Sequence, residues 1–351
     1  MFKSKNNLIL NTLLLGLVLI LALAACTPGV AETEEPTTEP EIEITATEEP
    51  IVQVTPTEPV GPPTVLLVTD DQFDQSIFSQ LESLLESLTA DSGMELVVSE
   101  DVTPEMITPE AQVVIGTGAN LDLNGLAANF PDVKFLAIGD PAANVADNLS
   151  LIGDPETDLR QKAFMAGYLS ALISSDFKIA ALMPADAPAQ DVLGESFVGG
   201  GRYYCGICQP LYPPYNAFPQ WHGLSSEDVE EGFRPTLNNL FNIGVDVAFI
   251  HGDLAKPELL AYMEELGIKV IGDRSPDVIR NNWVGTVTMD PVPVLQDLWP
   301  GLIAGNPGVR TSASIRLADT ELGLISDARM RFFDQTAEEL QSGMISFEIA
   351  P

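Results

Sequence analysis

Histidine is nearly missing from this chain of 351 residues: His222 and His251 are the only two, beside three cysteines. A hydrolytic or acyl-transfer centre needs a nucleophile with a base within hydrogen-bond reach. No such pairing is readable, so no enzymatic activity is expected. Zinc asks for three or four His, Cys or carboxylate ligands, and the spacing of the two histidines argues for no coordination. Basic residues are scarce too, 16 Lys and Arg against 51 Asp and Glu, for a net charge of -35 at pH 7. An acidic surface repels phosphate backbones and anionic lipid, which removes nucleic acid from the expected partners and weakly disfavours an anionic ligand. Gly116-Thr117-Gly118 is not followed by Gly-Lys-Ser/Thr, so it is no phosphate loop. Neither a metal nor a cofactor is implied.

What the chain does have begins at its N-terminus. Lys3 and Lys5 precede an almost wholly apolar run from Leu8 to Ala25, which ends in Leu23-Ala24-Ala25-Cys26. A positive start, an apolar middle and small residues at the cut read as a secretory signal over 1–25. The Cys after small residues resembles a bacterial lipobox, which makes Cys26 the lipidated first residue of the mature chain. An uncleaved membrane anchor is the alternative. Either way the domain is expected on the extracytoplasmic face of the cell membrane, tethered to it. Residues 26–63 then form an acidic linker rich in Thr, Glu and Pro, without Lys or Arg. Its like charges and prolines keep it extended, and it spans on the order of 100 Å at most.

The remainder, 64–351, exceeds one ordinary domain. Val65–Thr69 reads as a strand. A polar turn, Asp70 to Ser76, leads from it into a helix with Phe78, Leu81, Leu85 and Leu88 on one face. Strand, turn and helix make the first unit of an α/β sheet. Ligands of such sheets sit beyond the C-terminal strand ends, which marks out Asp70, Phe73, Asp74 and Gln75. Phe73 is alternatively a staple at the helix entry. Strands at Met94–Val98, Val113–Ile115 and Val133–Ile138 follow. Gly116 and Thr117 end the third, as a plain turn or as a close backbone approach to ligand. Asp140 follows the fourth, facing a cleft or capping a turn.

Asp154–Met183 reads as a helix running into a buried strand. Asp154 caps, Pro155 takes the first position, and Ala163, Gly167 and Ala171 recur every four residues. A mid-helix glycine costs about 1 kcal/mol against alanine, so Gly167 implies another backbone close against it. Beyond, Asp191–Val198 reads as a short helix stopped by Gly199-Gly200-Gly201. A strand to about Leu211 and a stiff aromatic loop at its cleft end follow, with Tyr212 and Tyr215 offering flat faces to a ring-shaped ligand. The other reading packs these aromatics on their own lobe. Cys205 and Cys208 form a C-x-x-C with no redox βαβ setting around it, and outside the cytoplasm a disulfide is expected. A helix Ser225–Phe241 and strands at Val245–Ile250 and Lys269–Ile271 lead to two further turns, His251-Gly252-Asp253 and Gly272-Asp273-Arg274.

The central segment resembles the "GxFLAGYLA…TGKVGFVGG" stretch of the basic membrane protein family, the solute-binding lipoproteins of bacterial ABC importers. The C-terminus is the second specific match, to "KxxIxSGxI", and weaker matches run in order along the rest of 64–351: Asp70, Phe73, Gln75 and Ser76 to an Asp-Lys-Ser-Phe-Asn-Gln-Ser turn, the segment before Asp140 to "PDVKF…D", and Gly252 to a Gly-rich ligand turn. The resemblance implies two α/β lobes of the type I periplasmic binding fold. Lobe 1 would take about 64–177 and 284–351, and lobe 2 about 178–283. It also implies a monomer that closes on a nucleoside or similar ring compound and docks on a permease, with Phe73 stacking on the ligand. Three departures stand out. Asp71 replaces a Lys, Asp290 replaces another, and Arg274 takes the place of an Asp that bonds ribose, with Asp273 one residue early. A ligand-presenting sensor, or a lipoprotein that binds a protein through the aromatic loop 203–222, are the alternative roles.

Overall fold

A computed structural model describes residues 61–69, 73–118, 121–187, 189–225 and 232–346. The expected signal, Cys26, the linker up to residue 60, and Asp70 lie outside the described residues.

The described chain folds around two six-stranded sheets. In the first, β1 (Thr64–Thr69), β2 (Glu95–Ser99), β3 (Ala111–Thr117), β4 (Lys134–Ile138), β5 (Leu149–Ile152) and β11 (Arg310–Thr311) run parallel in the order β11-β5-β4-β3-β1-β2. The inner strands β1, β3, β4 and β5 are largely apolar and buried because helices cover both faces. On one side lie α1 (Gln75–Ser92) and α7 (Val292–Ile303), on the other α2 (Leu123–Asn129). The β2–β3 crossover is abbreviated, carrying only the 3-10 turn Pro104–Met106.

The second sheet contains β6 (Ile179–Pro184), β7 (Gln220–Leu224), β8 (Val247–Ile250), β9 (Lys269–Gly272), β10 (Trp283–Asp290) and β12 (Ser314–Ala318), in the order β12-β10-β9-β8-β6-β7. Only the β10–β12 pair is antiparallel. Its helices are α3 (Pro155–Ile173), α4 (Gln190–Cys205), α5 (Phe233–Asn242), α6 (Pro257–Glu265) and α8 (Asp327–Gln341).

These pairings move the lobe boundaries from those expected. The chain passes to lobe 2 before α3, at Gly153–Asp154, because α3 buries Phe164, Leu169 and Leu172 with β6, β8 and β10 side chains. It returns to lobe 1 after β10, not before it, since β10 is paired with β9. It leaves again between β11 and β12, so α8 belongs to lobe 2. The expected limits of 177, 284 and 351 placed each of these elements in the wrong lobe.

The small-residue stripe of α3 has the packing reason its glycine implied. A Cβ on Gly167 would fall on the Phe197 carbonyl of α4, and one on Gly200 would fall on the Phe164 carbonyl of α3. The two helices therefore touch backbone to backbone. Gly199-Gly200-Gly201 does not end a helix: the three lie inside α4, where Gly200 makes this contact and Gly201 is pressed on Pro219 and Ile179. Asp154 caps α3 by accepting from the Thr157 N–H at 3.3 Å.

Asp158, in the first turn of α3 beside this crossing, is buried. One oxygen accepts from the Asp154 N–H at 3.1 Å, and the other has no hydrogen-bond partner. Burial pushes its carboxyl up to about 6, against the lowering pull of that hydrogen bond and of Lys162.

The aromatic loop departs most from expectation. No strand precedes it; α4 runs to Cys205, which is disulfide-linked to Cys208, and the loop then leads into β7. It therefore lies at the N-terminal ends of the lobe 2 strands. Asp176, just before β6, accepts from the Leu211 and Tyr212 N–H groups at 2.5 and 3.3 Å. Lys178 donates to the Pro213 carbonyl at 3.2 Å and pairs with Asp176 at 2.8 Å.

Candidate ligand-binding cleft

The C-terminal strand ends of the two sheets face one another, and two adjoining recesses lie between them. The larger, about 560 Å³, is lined by Phe73, Asp74, Gln75 and Ser76 from lobe 1, and by Asp253 and Arg274–Asp277 from lobe 2. The smaller, about 290 Å³, runs deeper along Phe73, Gly118, Gly139, Lys162, Asp273, Thr288 and Met289. A further recess of about 620 Å³ lies at the strand N-terminal ends of lobe 1, around Ile107, Phe130, Val133 and Ile303. It is walled by one lobe alone, so movement of the lobes cannot open or close it.

On the lobe 1 side, the turn after β1 delivers the aromatic ring. Phe73 borders both recesses while packing on the edge of the lobe 1 core, so the staple and the cleft readings describe the same ring. Asp74 lines both recesses as well, but one of its oxygens is engaged as the N-cap of α1, accepting from Ser76 and Ile77 at 2.9 and 3.2 Å. Gln75 is exposed at the mouth of the larger recess.

On the lobe 2 side, Asp273 is the buried anchor. It accepts from the Gly252 N–H at 2.6 Å, and its other oxygen lies 3.7 Å from Lys162 Nζ and 3.7 Å from His251 Nε2. Burial alone would raise its carboxyl, but Lys162, His251 and the Gly252 N–H outweigh it and hold the group below its usual value. Arg274 points along the groove, Nη1 3.3 Å from Asp253 and about half exposed.

Several expected site residues stand elsewhere. Gly116 is inside β3, and a Cβ there would meet Leu123 and Leu121 at 2.7 and 2.8 Å, so its size serves leucine packing. Thr117 is fully buried and donates to the Val68 carbonyl at 3.2 Å within the sheet. Their neighbour Gly118 reaches the recess instead. Asp140 is buried and accepts from the Ala142 N–H at 2.8 Å, which is the turn-cap alternative. Gly252 lies one layer beneath the lining, pressed on Arg274, where a Cβ would meet Arg274 Cβ at 2.8 Å. Tyr212 and Tyr215 are at the opposite end of lobe 2, because their loop enters β7 rather than leaving a strand.

Sequence reasoning missed Lys162, Thr288 and Met289. Lys162 left a signal. In a chain this short of cations, Lys162 falls directly before Ala163, beside the small-residue face of a helix that reads as packed. Such a placement calls for a partner, and Asp273 supplies one. Among the described residues, no cluster of His, Cys, Asp and Glu is arranged to hold a metal ion.

No family model matches the chain, and no curated protein matches it by sequence. Solved structures do match. An ABC transporter solute-binding protein from Conexibacter woesei DSM 14684 aligns with a TM-score of 0.60 at 18% identity, over 81% of this chain and 98% of that one. The fold is that of the periplasmic solute-binding proteins. A second ABC transporter solute-binding protein, from Aeropyrum pernix K1, aligns at 0.55 and 14% identity, over 82% and 94%. A transcriptional activator of the comK gene from Bacillus halodurans aligns at 0.56 and 14%, over 80% and 98%. At such identities the likeness concerns fold.

Proposed function

We propose that the protein is an extracytoplasmic solute-binding lipoprotein of the basic membrane protein family. In this reading it captures a small molecule, a nucleoside or similar ring compound, between its lobes and delivers it to an ABC importer. The observation that carries the reading is the pair of recesses lined by strand-end turns of both lobes, with Phe73 on one wall and Asp273–Arg274 on the other. A ligand that touches both walls favours the closed state by its difference in affinity for closed and open forms. The lipobox at Cys26 and the acidic linker support a tethered domain on the outer face of the cell membrane, working as a monomer beside a permease.

Within this reading Phe73 stacks on the ring. Lys162 and Arg274 supply donors, Asp273 holds Lys162 in place, and Gln75 and Ser275 close the mouth. With Arg274 where ribose-binding relatives have Asp, recognition centres on the ring and on acceptor groups rather than on a diol. A thermal-shift panel of nucleosides, free bases, sugars and amino acids tests the proposal. Stabilisation by a ring compound is the expected result, with affinity weakened by about 1–3 kcal/mol in Phe73→Ala. A panel without any shift, or a ligand indifferent to Phe73, defeats it. A sensor that presents ligand without import is the second reading, since the same fold also occurs in a transcriptional activator. Uptake of the identified ligand in a strain lacking the protein separates the two.

A further inference from the structure

We propose that the aromatic loop at the far end of lobe 2 is a second membrane contact, one that rests the domain on the bilayer interface. Residues 211–217 are exposed without a break, and Ile207, Leu211, Tyr212 and Tyr215 are 79, 68, 67 and 69% exposed. Tyr203 and Tyr204, on the last turn of α4, extend the patch at 50 and 43%. Large apolar side chains this open need an occupant.

The loop is built to hold them outward. The Cys205–Cys208 disulfide closes its base, and prolines stiffen its crest. Asp176 grips the Leu211 and Tyr212 N–H groups, and Lys178 grips the Pro213 carbonyl. Tyr204 packs edge-on against Tyr168 at 5.6 Å. A rigid convex crest of aliphatic groups and tyrosine hydroxyls suits the boundary between headgroups and acyl chains, where amphipathic rings collect.

Charge selects the same occupant. No Asp or Glu occurs between Glu195 and Glu227, the longest such gap beyond the N-terminal apolar segment in a chain of net charge -35. The nearest buried carboxylate, Asp176, is consumed by Lys178 and two backbone donors. The crest itself therefore carries no carboxylate to desolvate; of its neighbours, Asp246 is engaged by Ser174 and Ser175, and Glu339 lies beside Tyr168. The inference rests on the tethered reading above, since a tether keeps the bilayer at high effective concentration. Reach is sufficient: β1, where the linker enters, starts at the opposite end of the molecule, and a fold of this length is about 50 Å across, half of what the linker spans.

The test uses the mature chain carrying Cys26→Ser, which has no acyl anchor, and phosphatidylcholine vesicles. Cosedimentation with the vesicles is expected, and Leu211→Ser with Tyr215→Ser should lower the partition coefficient about tenfold or more. Ile207→Ser, outside the crest, is the second variant should the double one unfold, with its circular dichroism and melting curve as controls. Absent binding of the parent chain, or binding equal in the folded variants, overturns the proposal. So does loss of permease binding in the variants when the parent ignores vesicles, which assigns the loop to a protein partner. Fractionation of cells expressing the unaltered chain reports on the tether separately: if it is found in the soluble fraction, the anchored reading fails whatever the vesicles show.

Discussion

In lobe 1, α1 and α7 meet through Leu81, Leu85, Leu295 and Trp299, with the Trp299 indole 3.4 Å from Ser92 Oγ. In lobe 2, α3 and α4 meet through Gly167 and Gly200, carbonyl against Cα. The first contact is made of side chains that can shift and repack. The second has no side chain to yield, so helix spacing is fixed by the main chain itself. The lobe with the rigid helix pair is also the one whose α3 carries Lys162 to the cleft.

The largest effect should separate these two modes of packing. Gly200→Val must displace the Phe164 carbonyl or part the helices, and a loss of more than about 4 kcal/mol in urea unfolding is expected. Leu85→Ala, which leaves a cavity in lobe 1, should cost about 3 kcal/mol. If the glycine change proved the milder of the two, the distinction between the lobes would fall.

A third test concerns the crossing into lobe 2. Asp158 has its folded value raised to about 6 from an ordinary 3.8. The folded state thus holds this proton more tightly than the unfolded state does. The contribution is favourable below pH 4 and is lost as pH rises through about 6. Asp158→Asn should therefore stabilise the protein by about 2 kcal/mol at pH 8 and by little at pH 4, read as melting temperature against pH. A difference independent of pH would remove the buried charge as its cause. The smallest effect belongs to the exposed crest: Tyr215→Ala should change stability by less than about 0.5 kcal/mol and leave solute affinity unchanged.

Local signals were legible where one residue type does one physical job. Asp154, Pro155 and Gly167 announced the cap, first position and close packing of α3 before any contact was seen. Phe73 was readable because a turn after a buried strand has a known direction. The aromatic loop was misplaced for the complementary reason. Periodicity could not show that α4 continues through three glycines, and once that helix was cut short the following loop was assigned to the wrong strand end. Lobe membership of α3 and β10 was also hidden, because an apolar segment reads the same whichever sheet receives it. Lys162 and Asp273 meet only through tertiary packing, from positions more than a hundred residues apart.

The passage from β11 to β12 leaves only Ser312 and Ala313 between a strand of one sheet and a strand of the other, and Ala313 is itself buried in lobe 1. So short a waist allows rotation but little sliding. A turning motion about it sweeps the rim widely and the floor hardly at all. Fluorophores attached at Gln75 and Asp277 would thus register occupancy as a change in separation, while labels near Met289 would stay silent.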